Sequence, residues 1–253
     1  MAYQTRVNQQ RQEETAVRAL LLDLDDTLLL NSVDAFLPRY FRALSAAFAD
    51  LVPPERFLDT LRTATMQTIA NTDPTRTNAE VFWEAWEHLL PELRAQRDEV
   101  RRRTEHFYRE VFPTLKGDTR PVEGAREVIT WAKEQGLAVV IATNPIFPMA
   151  AIRERLRWAE LDDIDFDLIT SYENMHFTKP QPHYYREIAD VLGIAPEEAV
   201  MAGNHITNDL VPAHAVGMRT FLVNLAPVRD APFTPDGEGD LFALRAWLAQ
   251  HLA

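Results

Sequence analysis

Residues 19–27, ALLLDLDDT, decide the fold of this chain. The run from Ala19 to Asp23 begins with four uninterrupted apolar residues, which is typical of a strand covered on both faces of a parallel sheet. Side chains two residues apart in extended backbone point to the same side, so Asp23 and Asp25 can address one ligand. The stretch therefore predicts a buried first strand with a pair of acids at its carboxyl end.

Later apolar runs predict four more strands, at Ala138–Thr143, Phe166–Thr170, Ala199–Ala202 and Thr220–Val223. Helical patterns alternate with these runs, at Val122–Gln135, Phe147–Trp158, Pro180–Leu192 and Asn208–Val216. Strands that alternate with helices are typical of a doubly wound α/β domain with a parallel sheet. We expect five strands in that sheet, and a loop over 227–239.

The interval 32–115 separates the first strand from the second and contains only helical signals. Thr77 and Glu80 form a capping-box pattern at the start of one helix. The sequence thus predicts an all-helical insertion at 32–115 and a core domain made of 1–31 and 116–253. Four aromatic residues of the insertion stand at helical spacing, and we expect them in its packed interior rather than in a substrate site: Phe36, Tyr40, Trp83 and Trp86.

Composition excludes several classes of protein. The 253 residues include no cysteine, which rules out disulfides, thiolate metal sites and a cysteine nucleophile. A formal net charge of -12 makes nucleic acid and anionic membranes poor partners. Residues 1–19 are polar and lack the apolar stretch of a signal peptide, so we expect a cytoplasmic protein with no membrane segment. No pattern indicates the oligomeric state.

The two acids of the first strand suit covalent chemistry. Carboxylates this close repel each other, which can raise the pKa of one and divide them into a nucleophile and a general acid/base. A carboxylate that attacks phosphorus forms an aspartyl-phosphate. The plainer alternative is that Asp25 and Asp26 only begin a turn and cap a helix.

The ends of the later strands argue against that alternative. Thr143 and Asn144 end the second strand before a turn and a helix, where a hydroxyl and backbone N–H groups can hold phosphate oxygens. Lys179, one of only three lysines, follows the third strand and can neutralise acids and a phosphoryl group. Asp209 begins a helix after the fourth strand.

These four pieces, in this order, resemble the haloacid dehalogenase-like hydrolase superfamily from Leu20 to about Val223. The resemblance implies a Rossmann-like core, a helical cap inserted after the first strand, and a Mg²⁺ cofactor. It also implies site roles, in which Asp23 and Asp25 act as nucleophile and acid/base and Thr27 completes their signature. The phosphate would be bound by Thr143 with Asn144 and by Lys179. The metal would be surrounded by Asp23, Asp25, Asp209 and Asn204.

The last of these motifs departs from the family pattern. The family usually has Gly-Asp-Ser where this chain has Gly203-Asn204-His205, so a neutral amide replaces a carboxylate that binds metal. An amide still offers a carbonyl oxygen, and we expect weaker magnesium binding rather than none.

The presence of Asp25 also favours some of the family's activities over others. Dehalogenases lack this second acid, and enzymes that form a Schiff base need a cap lysine, which residues 31–115 do not contain. The sequence therefore favours a magnesium-dependent phosphomonoester hydrolase acting on a small phosphorylated metabolite. A phosphosugar mutase, or a weakly catalytic substrate-binding or scaffold protein, remains the alternative. The identity of the metabolite cannot be read from the sequence.

Overall fold

The computed structural model describes residues 16–252. The prediction that residues 1–19 contain no signal peptide falls mostly on residues outside that range. Within it, the strands are β1 Ala19–Leu22, β2 Leu29–Leu30, β3 Arg120–Pro121, β4 Ala138–Ile141, β5 Leu168–Ile169, β6 Ala199–Gly203, β7 Arg219–Val223 and β8 Gly237–Gly239. The α-helices are α1 Val33–Ala46, α2 Pro54–Ile69, α3 Asn78–Leu89, α4 Arg97–His106, α5 Ala125–Glu134, α6 Met149–Trp158, α7 Pro182–Leu192, α8 Val211–Ala215 and α9 Leu241–Ala249.

The main sheet confirms the predicted α/β class. Its order is β5-β4-β1-β6-β7-β8, and every pair in it is parallel. All five predicted strands are present. The sixth, β8, corrects the expected loop over 227–239. Its glycines hid it from the apolar pattern, and Gly237 is needed because a Cβ there would lie 2.7 Å from the Phe221 ring.

Strand β1 lies in the middle of the sheet, which explains its unbroken apolar sequence. Leu20 and Leu22 pack into the core on one face, with α5, α6 and α9, whereas Ala19 and Leu21 pack on the other face with α7 and α8. Leu22 pairs with Ile141 of β4 and with Ala202 of β6. The carboxyl ends of these three strands therefore meet at one edge.

The interval between β2 and β3 is helical, as the sequence predicts. It contains α1 to α4, and the antiparallel pair β2–β3 joins the chain where it leaves the core to the chain where it returns. The capping box is confirmed, because Thr77 accepts from the Glu80 N–H while the Glu80 carboxylate accepts from the Thr77 N–H. The division into two domains at these boundaries stays a prediction. No helix in residues 16–252 has the length and apolar character to cross a membrane.

The first turn of α3 is bound to loops of the core. The backbone N–H of Asn78 donates to the Met175 carbonyl at 2.8 Å, and its buried side-chain amide donates to the carbonyls of Pro145 at 3.3 Å and Phe177 at 3.1 Å. One side chain thus links the helical interval to the loops that follow β4 and β5.

Replacing Asn78 by alanine should destabilise the protein. Asn78→Ala leaves the buried Pro145 carbonyl and the part-buried Phe177 carbonyl without this donor. We therefore expect a loss of about 1–3 kcal/mol in the free energy of unfolding, measured by urea denaturation. Asn224→Ala is the matched control, because that side chain is exposed. Equal stabilities of the two variants would contradict the proposed role of Asn78.

Candidate active site

A buried lysine joins two of the strand ends. The Lys179 Nζ donates to Asp23 Oδ1 at 2.8 Å and to Asp209 Oδ1 at 2.6 Å. Asp23 directly follows β1, and its backbone N–H donates to the Ala202 carbonyl of β6 at 3.0 Å. The exposed fractions of Lys179 and Asp209 are 3% and 2%. The three charges therefore form a cluster with little access to water.

Burial and mutual attraction set the protonation of this cluster. Burial raises the pKa of Asp23 to about 7; the Lys179 ammonium opposes the rise and the charge of Asp209 adds to it. Burial alone would lower the pKa of Lys179, but its attraction to Asp209 and Asp23 holds that pKa well above the usual value. Lys179 therefore stays a cation between the two carboxyl groups.

The remaining oxygens of the two carboxylates are held by local contacts. The Thr27 hydroxyl donates to Asp23 Oδ2 at 3.3 Å, and the His205 N–H donates to Asp209 Oδ2 at 3.0 Å. Gly203 makes room for Asp209, because a Cβ at that position would lie 2.4 Å from Asp209 Oδ2. The glycine that begins the fourth motif is thus required by close packing against the acid that ends it.

The turn after β4 lies beside Lys179, which follows β5. The Asn144 Oδ1 accepts from the Lys179 N–H at 3.3 Å. Thr143 is buried, and its carbonyl accepts from the hydroxyls of Thr170 and Tyr184, each at 2.8 Å. These bonds fix the backbone of the Thr143–Asn144 turn next to the lysine.

Asp25 is held by partners that the sequence did not reveal. The Arg155 Nη1 donates to Asp25 Oδ2 at 2.5 Å, and the Asn31 Nδ2 donates to Asp25 Oδ1 at 2.8 Å. Arg155 lies on α6, is 3% exposed, and has no partner among the described residues for Nε and Nη2. No local pattern could have linked it to Asp25, since 130 residues separate them.

The amide of Asn204 has a structural reason for replacing the expected carboxylate. Its Nδ2 donates to the Ala226 carbonyl at 2.9 Å, and its own backbone carbonyl accepts from the Val228 N–H at 2.7 Å. A carboxylate cannot donate to a carbonyl, so an aspartate at this position would face Ala226 with two acceptors. The loop after β7 therefore favours asparagine here.

The charges of the cluster fit a divalent cation. Asp23 and Asp209 face one ammonium, so one negative charge is left without compensation whenever both carboxyl groups are ionised. Within residues 16–252, no three acidic or histidine side chains form a ready metal-binding group. Magnesium needs only one or two carboxylates when substrate phosphate and water complete its shell, so the donor set fits Mg²⁺.

The strand ends, the spacing of their acids and the sheet order together define a hydrolase of the haloacid dehalogenase class. The chain belongs to the haloacid dehalogenase-like hydrolase family, whose model matches residues 17–217, more than half of the chain.

Known relatives agree with this membership. The chain is 31% identical over 120 residues to hexitol phosphatase B of Escherichia coli K12, a match that covers 47% of this chain and 52% of that protein. The chain thus spans about half the length of this curated relative.

Solved structures share the fold. The HAD phosphatase of Thermococcus onnurineus superposes with a TM-score of 0.58 at 20% identity, covering 94% of this chain and 100% of that one. The 2-haloacid dehalogenase of Pseudomonas syringae pv. Tomato superposes with a TM-score of 0.60 at 21% identity, covering 92% and 99%.

The variant Asn204→Asp separates the structural role of the amide from metal binding. We expect it to lower the Tm without metal, because the Ala226 carbonyl loses its donor and the new charge adds to that of Asp209. Magnesium should raise the Tm of this variant more than that of the wild type, by neutralising the added charge. Thermal unfolding with and without magnesium measures both effects. An unchanged Tm without metal would refute the role assigned to the Ala226 bond.

Proposed function

We propose that this protein is a magnesium-dependent phosphomonoester hydrolase that acts on a small phosphorylated metabolite through an aspartyl-phosphate on Asp23. The observation that carries the proposal is the Lys179 ammonium bonded to both Asp23 and Asp209 at the strand ends. This arrangement supports Asp23 as the nucleophile, because its carboxylate lies beside a fixed positive charge with little access to water. The similarity to hexitol phosphatase B, a protein named as a phosphatase, supports the same reaction class.

In the first step, a carboxylate oxygen of Asp23 attacks phosphorus and the bond from phosphorus to the ester oxygen breaks. Asp25, two residues further on, gives its proton to the departing oxygen, so the product leaves as an alcohol. Lys179 and the N–H groups of the Thr143–Asn144 turn hold the phosphoryl oxygens. Thr27 keeps the Asp23 carboxylate turned toward Lys179.

In the second step, Asp25 takes a proton from water, and the water oxygen attacks phosphorus. The bond between phosphorus and the Asp23 oxygen breaks, which releases inorganic phosphate and restores the carboxylate. Arg155 and Asn31 fix the position of the Asp25 carboxyl group by holding both its oxygens. They are therefore positioning residues for the acid and base.

Magnesium would be held by Asp23 and Asp209, with Asp25 and the Asn204 amide oxygen as further donors. When bound, it supplies positive charge that offsets the repulsion between an anionic nucleophile and an anionic phosphate. Asn204 contributes no charge, so we expect weak affinity for the ion.

The same residues weigh against other activities of the fold. An ester intermediate on carbon needs no proton donor at the position of Asp25, whereas here that acid has two dedicated partners. The hydrolase is favoured over a phosphosugar mutase because hexitol phosphatase B, the relative described above, is named for hydrolysis.

Hydrolysis of p-nitrophenyl phosphate with magnesium tests the assigned roles. Asp23→Asn should lower kcat by about 10³-fold or more, because an amide cannot attack phosphorus. Asp25→Asn should lower it about 10²- to 10⁴-fold, the usual contribution of a general acid or base. The exposed Asp98→Asn is the control. Circular dichroism checks that the variants fold, and substantial turnover by Asp23→Asn would exclude Asp23 as the nucleophile.

A further inference from the structure

An apolar cavity of about 260 Å³ lies between the helical interval and the core. Helices α1, α2 and α3 form most of its wall, and the turn Ile146–Pro148 closes it on the core side. That turn begins two residues after Asn144. Rings dominate the lining, among them Phe48, Phe57, Phe82 and Trp86. Of the four aromatic residues that the sequence assigned to packing, three also line this space: Tyr40, Trp83 and Trp86.

Phe147 and Arg155 connect this cavity to Asp25. The Phe147 ring lines the cavity, and the Arg155 guanidinium lies 4.7 Å from the centre of that ring. Arg155 in turn donates to Asp25. The acid proposed to protonate the leaving group is therefore linked to the cavity wall through Arg155.

Several polar groups that line the cavity are bonded to each other, while the exposed Arg62, which also lines it, donates to Asp59. The hydroxyls of Tyr40 and Tyr108 are 2.7 Å apart and bonded. The Trp83 Nε1 donates to the Tyr172 hydroxyl at 3.3 Å. Each pair leaves one hydroxyl O–H as an unused donor, so the wall offers an occupant few polar groups among many rings and aliphatic side chains.

The two threonines of the wall bond to their own helices. The Thr65 hydroxyl donates to the Leu61 carbonyl at 2.8 Å, and the Thr104 hydroxyl donates to the Val100 carbonyl at 2.9 Å. Among the described residues, the buried Trp86 Nε1 also lines the cavity and has no hydrogen-bond partner. A polyhydroxylated occupant would find few partners for its hydroxyls, and unpaired hydroxyls are costly in an apolar site.

We propose that the preferred substrate is a phosphate monoester whose alcohol carries an apolar ring system, which fills this cavity. The proposal rests on the phosphatase function proposed above and names its substrate class. An apolar cavity of about 150 Å³ in another protein binds benzene, so a space of this size accommodates a larger ring system. Sugar phosphates and small hydroxy-acid phosphates lack the apolar surface that the wall would cover.

A comparison of three esters with magnesium tests the substrate class: 2-naphthylmethyl phosphate, ethyl phosphate and sorbitol 6-phosphate. All three release primary alcohols, so the leaving groups differ little in basicity and a difference in kcat/KM reports binding. We expect kcat/KM for the naphthylmethyl ester to exceed the other two by about tenfold or more, as apolar pockets discriminate between side groups. Equal values, or a preference for the sorbitol ester, would overturn the substrate class.

Two variants of helix α2 test whether the preference for the naphthylmethyl ester arises from binding in this cavity. Thr65→Trp places a ring in the cavity and should reduce the preference for the naphthylmethyl ester about tenfold. Thr63→Trp adds the same ring to an exposed position of the same helix and should keep the preference of the wild type. Equal preferences in the two variants would contradict binding in this cavity.

The outcomes also separate the two proposals. If the wild type turns over none of the three esters and no p-nitrophenyl phosphate, the proposed function itself fails. If it turns over the esters without preferring the apolar one, the function stands and the substrate class alone is wrong.

Discussion

The structure depends on one buried ammonium. Lys179 lies between Asp23 and Asp209, and all three side chains are almost removed from water. Charges in such a place are tolerated only when they are paired, and removal of one partner typically costs roughly 3–5 kcal/mol. The strand order brings Asp23 and Asp209 to one edge of the sheet, and Gly203 leaves the space that Asp209 fills. The order of the strands, the small size of Gly203 and the pairing of charges thus together hold this cluster in place.

The second acid is kept apart from that cluster by its own cation. Asp25 bonds to Arg155 and Asn31, so the lysine serves Asp23 and Asp209 while the arginine serves Asp25. This separation suits a reaction in which one carboxylate must attack and another must move a proton. Arg155 also stacks on Phe147, which lines the apolar cavity. The same side chain thus connects the acid proposed to protonate the leaving group with the space proposed to hold that group.

The sequence predicted what depends on local pattern. Five strands follow from short apolar runs, and the cluster of Asp23, Lys179 and Asp209 follows from charged residues placed just after them. Contacts between distant segments left no such signal, as the pairs Asp25–Arg155 and Asn204–Ala226 illustrate. Strand β8 was missed because its glycines lack apolar side chains. The aromatic residues of the helical interval were assigned to packing, since spacing on a helix does not distinguish a filled interior from a cavity.

The proposed mechanism requires transfer of the phosphoryl group to Asp23. To test this directly, the enzyme is mixed with magnesium and 2-naphthylmethyl phosphate, quenched in acid within one turnover, and its peptides are mapped by mass spectrometry. We expect the peptide containing Asp23 to gain the mass of one phosphoryl group, and the gain to disappear in Asp23→Asn. Rapid release of phosphate with no modified peptide, or a phosphoryl group on a different residue, would contradict it.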